Sequence, residues 1–226
     1  MPNIFFGNTK YDIIYFDKHE TEHLKVLRIK LDDIVECTDG KGNLYKVKIK
    51  KIGKKESFGE IVESKYVGNK VNIKLTFFAP AGRWERLRWL LEKSVELGVD
   101  KIYIMHTEYS NRKYFEKMEK INLVVRDSCK QCVRYVFPEV RAISFSEVTK
   151  FAPKSTFYLD FNGKRFPEQF TGDVGLIVGP EGGFSSQEKE ILQSRYIPVS
   201  LGDKVLRYET AALLGLGMLA YKLSKI

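Results

Sequence analysis

From residue 71 onward the chain alternates short apolar runs with stretches of helical periodicity, and this alternation restricts the fold more than any other feature. Residues 71–78, 101–105, 156–159, 174–178 and 197–201 read as strands. Residues 83–97, 114–135, 186–195 and 208–223 read as helices, the first closed by Gly98, where left-handed backbone commonly ends a helix. Strands joined through helices pair in parallel. The expected fold class is therefore α/β, a parallel sheet with helices on both faces.

The N-terminal part has a different period. Short strand candidates lie at 12–16, 34–37, 44–52 and 58–62, with one short charged helix at 21–28. In the third run Leu44, Lys46, Lys48 and Lys50 share one face, and Tyr45, Val47 and Ile49 the other. Asp39-Gly40 and Gly42-Asn43 supply turn chemistry before it. Several short strands, turns and one helix predict a small β-barrel. The change of pattern at 66–70 divides the 226 residues into domains at 1–68 and 71–226.

Charge narrows the partners. Thirty-eight Lys and Arg against 29 Asp and Glu give a net charge of +9, which favours a polyanion. Lys41, Lys46, Lys48, Lys50, Lys51, Lys54 and Lys55 occupy a fifteen-residue stretch without an acid, and with Arg28 they suit a phosphate backbone. The opening Met1-Pro2-Asn3-Ile4-Phe5-Phe6 lacks a basic leader, and the apolar run at 211–221 is too short to cross a bilayer. A cytoplasmic protein without membrane contact is expected. Cys37, Cys129 and Cys132 are an odd count, and Cys129-x-x-Cys132 has no second Cys or His pair to complete a metal centre. No metal is expected.

Two loops carry the chemistry. Parallel sheets bind ligands at the carboxyl ends of their strands, where Val178-Gly179-Pro180-Glu181-Gly182-Gly183-Phe184-Ser185 falls. Its glycines admit close backbone approach, and Ser185 or Ser186 suits the cap of the next helix, with Glu188 in its first turn. The loop matches neither the dinucleotide nor the P-loop pattern. Leu201-Gly202-Asp203-Lys204-Val205-Leu206-Arg207-Tyr208-Glu209-Thr210-Ala211 likewise joins a short strand to a helix. Glu92 and Glu96, one turn apart, read as a solvated helix face near Arg88.

Taken in order, His23-Leu-Lys-Val-Leu-Arg28, Glu92-Lys-Ser-Val-Glu-Leu-Gly-Val99, Thr107-Glu108, Cys129-Lys-Gln-Cys-Val-Arg134, Gly179-Pro-Glu-Gly-Gly183 and Val205-Leu-Arg-Tyr-Glu-Thr-Ala211 resemble the RsmE family of knotted (SPOUT) methyltransferases nearly end to end. The resemblance implies a PUA-like β-barrel followed by a SPOUT α/β domain with a trefoil knot, assembled as a homodimer. It implies methylation of N3 of a uridine in 16S rRNA of the small ribosomal subunit, with S-adenosyl-L-methionine as cofactor. Alternatives are a same-fold enzyme acting on another RNA position, or an inactive RNA-binding assembly factor. By position the cofactor residues would be Leu159, Val178, Gly179, Pro180, Glu181, Gly182, Gly183, Leu201, Gly202, Val205 and Leu206. Direct displacement at N3 requires loss of its proton, so Arg207 is the expected stabilising cation and Glu209 or Glu181 the base. His23, Arg28, Lys46, Lys48, Arg112 and Arg134 are the expected RNA contacts. Two positions depart from the family pattern: Tyr109, where an Arg is frequent, and Lys130, where relatives tend to carry Glu.

Overall fold

The computed structural model describes residues 4–68, 71–110 and 114–226. The chain forms two compact units, Met1–Lys70 with Arg126–Phe137, and Val71–Val125 with Pro138–Ile226. Residues 126–137, which the sequence pattern places with 71–226, thus belong to the N-terminal unit. Helical periodicity reports that a segment has an apolar face, not which core that face joins.

The first unit holds β1 (Ile4–Phe6), β2 (Asn8–Lys10), β3 (Ile13–Phe16), α1 (Lys18–Val26), β4 (Ile34–Thr38), β5 (Asn43–Ile52) and β6 (Ser57–Tyr66). The strands form one sheet in the order β1-β4-β5-β6-β3-β2, antiparallel except for the β1–β4 pair. The alternation of β5 survives folding: Tyr45, Val47 and Ile49 join Phe5, Ile14, Phe16 and Leu24 in the core, while Lys46 and Lys50 face solvent. The pattern missed β1 and β2, three residues each, which are too short for a period to show.

In the second unit, β7 (Leu75–Pro80), β8 (Lys101–His106), β9 (Glu139–Ser144), β10 (Ser155–Lys164), β11 (Val174–Ile177) and β12 (Ile197–Val199) build a sheet in the order β12-β10-β11-β7-β8-β9. Every neighbouring pair is parallel. All six residues of β7 are buried, as a strand covered on both faces requires. On α2 (Trp84–Glu96), Leu87, Leu90, Leu91, Ser94 and Val95 form the buried stripe, and Gly98 follows at φ +75°. α2 packs against β7 and against α6 (Tyr208–Lys222). Val148 of α4 (Val148–Phe151) and Leu192 of α5 (Ser186–Arg195) join Phe78, Tyr103, Tyr158 and Ile177 in one core cluster. α3 spans Met118–Gln131. The sequence pattern passed over β9, an edge strand with little alternation in its burial.

Strand order reverses between β7 and β11. β8 and β9 extend the sheet on one side of β7, and β11, β10 and β12 on the other. In open parallel sheets, ligands bind outside the carboxyl ends at such a switch point.

Candidate functional site

The middle of β10 and the loops after β11 and β12 converge on a cavity of about 400 Å³. Leu159 comes from β10, Val178, Gly179, Pro180 and Gly183 from the loop after β11, and Leu201, Gly202 and Leu206 from the loop after β12. These expected cofactor residues are brought together. Gly183 and Gly202 have φ of +69° and +122°, and a Cβ at either would meet nothing within 4 Å. The loops therefore leave an open cradle of backbone, with apolar side chains around it.

Three others lie elsewhere. Val205 is 86% exposed and does not line this cavity, whose wall takes its neighbour Leu206 instead. Glu181 and Gly182 line a second cavity of about 550 Å³, with Gly82 and Arg83 from the end of β7 and Glu108 and Tyr109 from the end of β8. Pro180 and Tyr208 line both cavities.

The Gly-rich loop is tightly held at its far end. Ser185 caps α5, its Oγ accepting from the Glu188 N–H at 3.4 Å, while the Ser185 N–H donates to Glu188 Oε2 at 2.9 Å. The other oxygen of buried Glu188 accepts from the Glu108 N–H at 2.9 Å. One carboxylate thereby fixes the loops after β8 and β11 to each other.

Glu181 and Glu209 are joined by a residue the sequence did not single out. The Arg86 guanidinium pairs with Glu181 and lies 3.7 Å from Glu209, with its carbon 5.9 Å from the Tyr208 ring centroid. The other oxygen of Glu209 is buried without a hydrogen-bond partner among the described residues. A signal did exist: Arg83 and Arg86 stand at the start of α2, where the helix dipole disfavours cations, so an acidic partner was to be expected. Arg207 is exposed at the N-cap of α6 and has no ion-pair partner among the described residues. Burial, then the Glu209 charge, push the Tyr208 phenol up to about 12, so it is a neutral donor.

The expected RNA contacts lie in the first unit, apart from Arg112, which falls outside the described residues. Arg28 is exposed at φ +57°. Lys46 pairs with Glu63 at 2.7 Å, and Lys48 with Asp32 at 3.3 Å, so the lysine row is laced with acids from elsewhere in the unit. Exposed pairs of this kind are weak enough for phosphate to replace them. Arg134 Nε donates to the Val136 carbonyl at 2.8 Å and braces the turn after α3. The His23 ring packs 4.9 Å from Phe5 and lies 3.8 Å from Glu20. Burial, then Lys130, hold its pKa below the ordinary value, so it is not a cation for phosphate near neutral pH.

His19, Glu20 and Asp127 bring three possible metal donors within 4.8 Å of one another. The Lys130 ammonium already sits there, 2.6 Å from Glu20 and 3.1 Å from Asp127. Lys130, the departure from the family pattern, is thus the partner of a buried carboxylate. Burial pushes the Cys129 thiol up to about 12, which removes it from thiolate chemistry near neutral pH. Among the described residues no helix is long and apolar enough to cross a membrane.

The family described as RNA methyltransferase domain matches residues 69–220, and the one described as RNA methyltransferase PUA domain matches residues 16–62. Ribosomal RNA small subunit methyltransferase E of Helicobacter pylori is 32% identical over 75% of this chain and 76% of its own. A structure from Thermotoga maritima, described as an RNA methyltransferase, is 37% identical with a TM-score of 0.87 over the full length of both chains. A structure from Legionella pneumophila, described as a methyltransferase in complex with the bound cofactor SAM, is 27% identical with a TM-score of 0.88 over 98% of each chain. With loops of this composition converging at the ends of a parallel sheet, and with these matches along most of its length, the chain belongs to the ribosomal RNA small subunit methyltransferase E family, the RsmE family.

Proposed function

We propose that the chain transfers a methyl group from S-adenosylmethionine to N3 of a uridine in 16S rRNA, in the cytoplasm and as a homodimer. The observation that carries the reading is the cradle formed by Gly179, Gly183 and Gly202 with Leu159, Val178 and Leu206. Its open backbone suits an adenine and amino-acid tail, and its apolar walls suit a donor kept from water. The residues present fit the cofactor.

When bound, S-adenosylmethionine supplies an electrophilic methyl group: N3 displaces it from the sulfonium, whose sulfur keeps the electron pair of the broken bond. The chain must hold the base in line and accept the N3 proton. Glu181 or Glu209 takes that proton, and Arg86 fixes both carboxylates in place. Arg207, between cavity-lining Leu206 and Tyr208, stabilises the anion left on the ring. Base flipping exposes N3, which is otherwise engaged in RNA pairing.

Arg28 and the lysines of β5 would track phosphate. Support for a homodimer comes from α6, which leaves Leu214, Met218 and Tyr221 exposed at helical spacing. The knot belongs to the same reading and would lie where β10 and β12 run side by side, Gly163 passing so close to the Val199 backbone that a Cβ would collide. In line with this, the Ser200 N–H donates to the Lys164 carbonyl at 2.9 Å.

Mass-spectrometric mapping of 16S rRNA from cells with and without the protein tests the reading. A methyluridine lost with the protein, and restored in vitro by the chain and S-adenosylmethionine, is expected. An unchanged modification pattern would overturn it. Arg207→Ala should lower turnover roughly a hundredfold, the scale of losing one electrostatic donor, with cofactor affinity and dimer mass unaltered. A monomeric variant would instead make Arg207 an interface residue.

A further inference from the structure

We propose that the second cavity receives the acceptor base, and that the Tyr208 hydroxyl donates a hydrogen bond to a carbonyl oxygen of the uracil held there. The proposal rests on the methyltransferase reading and names the substrate subsite beside the donor cradle.

Position is the first argument. The cavity opens where β7, β8 and β11 end, at the switch point of the sheet, and its volume lies within the range of small-molecule sites. It shares Pro180 and Tyr208 with the donor cradle, so the two cavities adjoin at those residues. A methyl group passing directly from donor to acceptor needs such contiguity.

The second argument is an unanswered hydroxyl. Tyr208 is 8% exposed, and its hydroxyl is buried with no hydrogen-bond partner among the described residues. Burying a hydroxyl this way is unfavourable, so an acceptor brought beside it in the cavity would be bound favourably. Its direction is fixed by Gly82: a Cβ at that position would collide with the Tyr208 oxygen, and Gly82 lines the second cavity but not the first. The polar end of Tyr208 therefore faces the acceptor side, while its ring forms part of the wall of the cradle.

The lining then suits a single flipped nucleotide. Tyr109, half exposed at the cavity, offers a ring for a base to stack on. Arg83, exposed and without an ion-pair partner among the described residues, is placed for the nucleotide phosphate. Uracil has a carbonyl on each side of N3. When the N3–H bond breaks and its proton passes to Glu181, which lines the same cavity, the charge spreads onto those two oxygens. A phenol donating to one of them binds the anion more strongly than the neutral base, which is the condition for accelerating transfer.

Tyr208→Phe removes the hydroxyl and keeps the ring. With 16S rRNA lacking the modification as substrate, kcat should fall roughly tenfold to a hundredfold, the range for losing a hydrogen bond to a charged group. S-adenosylmethionine affinity by calorimetry should stay within about twofold and the melting temperature should hold, because the oxygen faces away from the cradle. The deficit should shrink as pH rises, since more uridine is then already deprotonated. Unchanged kcat would overturn the proposal, as would a loss of cofactor affinity equal to the loss of rate, which would assign the hydroxyl to the donor. If the wild-type chain transfers no methyl group to this RNA, the methyltransferase reading itself falls, and the acceptor site with it.

Discussion

Glu20→Ala is expected to destabilise the N-terminal unit by about 3–5 kcal/mol, the scale of leaving a buried charge without its counter-ion. The Glu20 side chain is fully buried on α1 and accepts from Lys130 Nζ at 2.6 Å and from the Phe6 N–H at 3.2 Å, with Arg126 Nε 3.6 Å away. Asp17 and Asp127 meet the same cations at 2.6 Å and 3.1 Å but are half exposed, so they cannot replace it. Urea unfolding followed by circular dichroism checks the prediction. A loss below 1 kcal/mol would mean that Lys130 and Arg126 swing to water at little cost.

The same cluster sets a pH dependence. Burial alone would raise Asp17, but the Glu20 N–H and Arg126 outweigh it; burial would raise Asp127, but Lys130 and His19 outweigh it. Both carboxyls lie below the ordinary 3.8, so their contribution is present above that value and lost as pH falls through the folded pKa. His23 is also depressed, by burial first, so below its ordinary 6.5 the unfolded chain takes up a proton sooner than the folded one. Both effects have one sign. Stability should decline on acidification in two stages, beginning below 6.5 and steepening below 3.8, and His23→Gln should remove the first.

Gly183→Val is expected to abolish S-adenosylmethionine binding, with affinity reduced about a thousandfold or more. The position has φ +69°, where a β-branched residue is strained by roughly 1–2 kcal/mol. The side chain would also enter the cradle, where a Cβ now finds open space, and take the volume the donor needs. Calorimetry with S-adenosylmethionine measures the loss, and a circular dichroism spectrum like that of the wild type shows that the sheet persists. Gly182→Val is the informative control. Its Cβ would lie 3.3 Å from that of Tyr109 in the second cavity, so it should disturb RNA turnover more than cofactor affinity. Equal losses of affinity in the two variants would erase the distinction between the cavities.

Much of the site was legible before any coordinates. Gly and Pro between a buried strand and a helix announce a ligand loop, because few other sequences tolerate backbone exposed to a ligand there. The Ser185–Glu188 cap could be read directly, since capping is decided within four residues. Strand β5 and helix α2 were readable for the same reason: a period of two or of 3.6 is a local property.

Only the tertiary structure decided which residues meet. Arg86 joins Glu181 to Glu209 across 95 and 123 positions of chain, counted as 181 − 86 and 209 − 86, and no local pattern encodes that distance. Tyr109 and Gly182 become neighbours because β8 and β11 flank β7 in the sheet, an order that periodicity leaves open. Lys130, legible in the sequence only as a departure from the family pattern, meets buried Glu20, 110 residues earlier. The sequence by itself determined the elements, their caps and the loops able to accept a ligand, since those depend on hydrogen bonds and sterics between near neighbours. The division of the ligand space into two cavities, and the burial of an ion cluster under α1, came from side chains distant in sequence competing for the same enclosed volume.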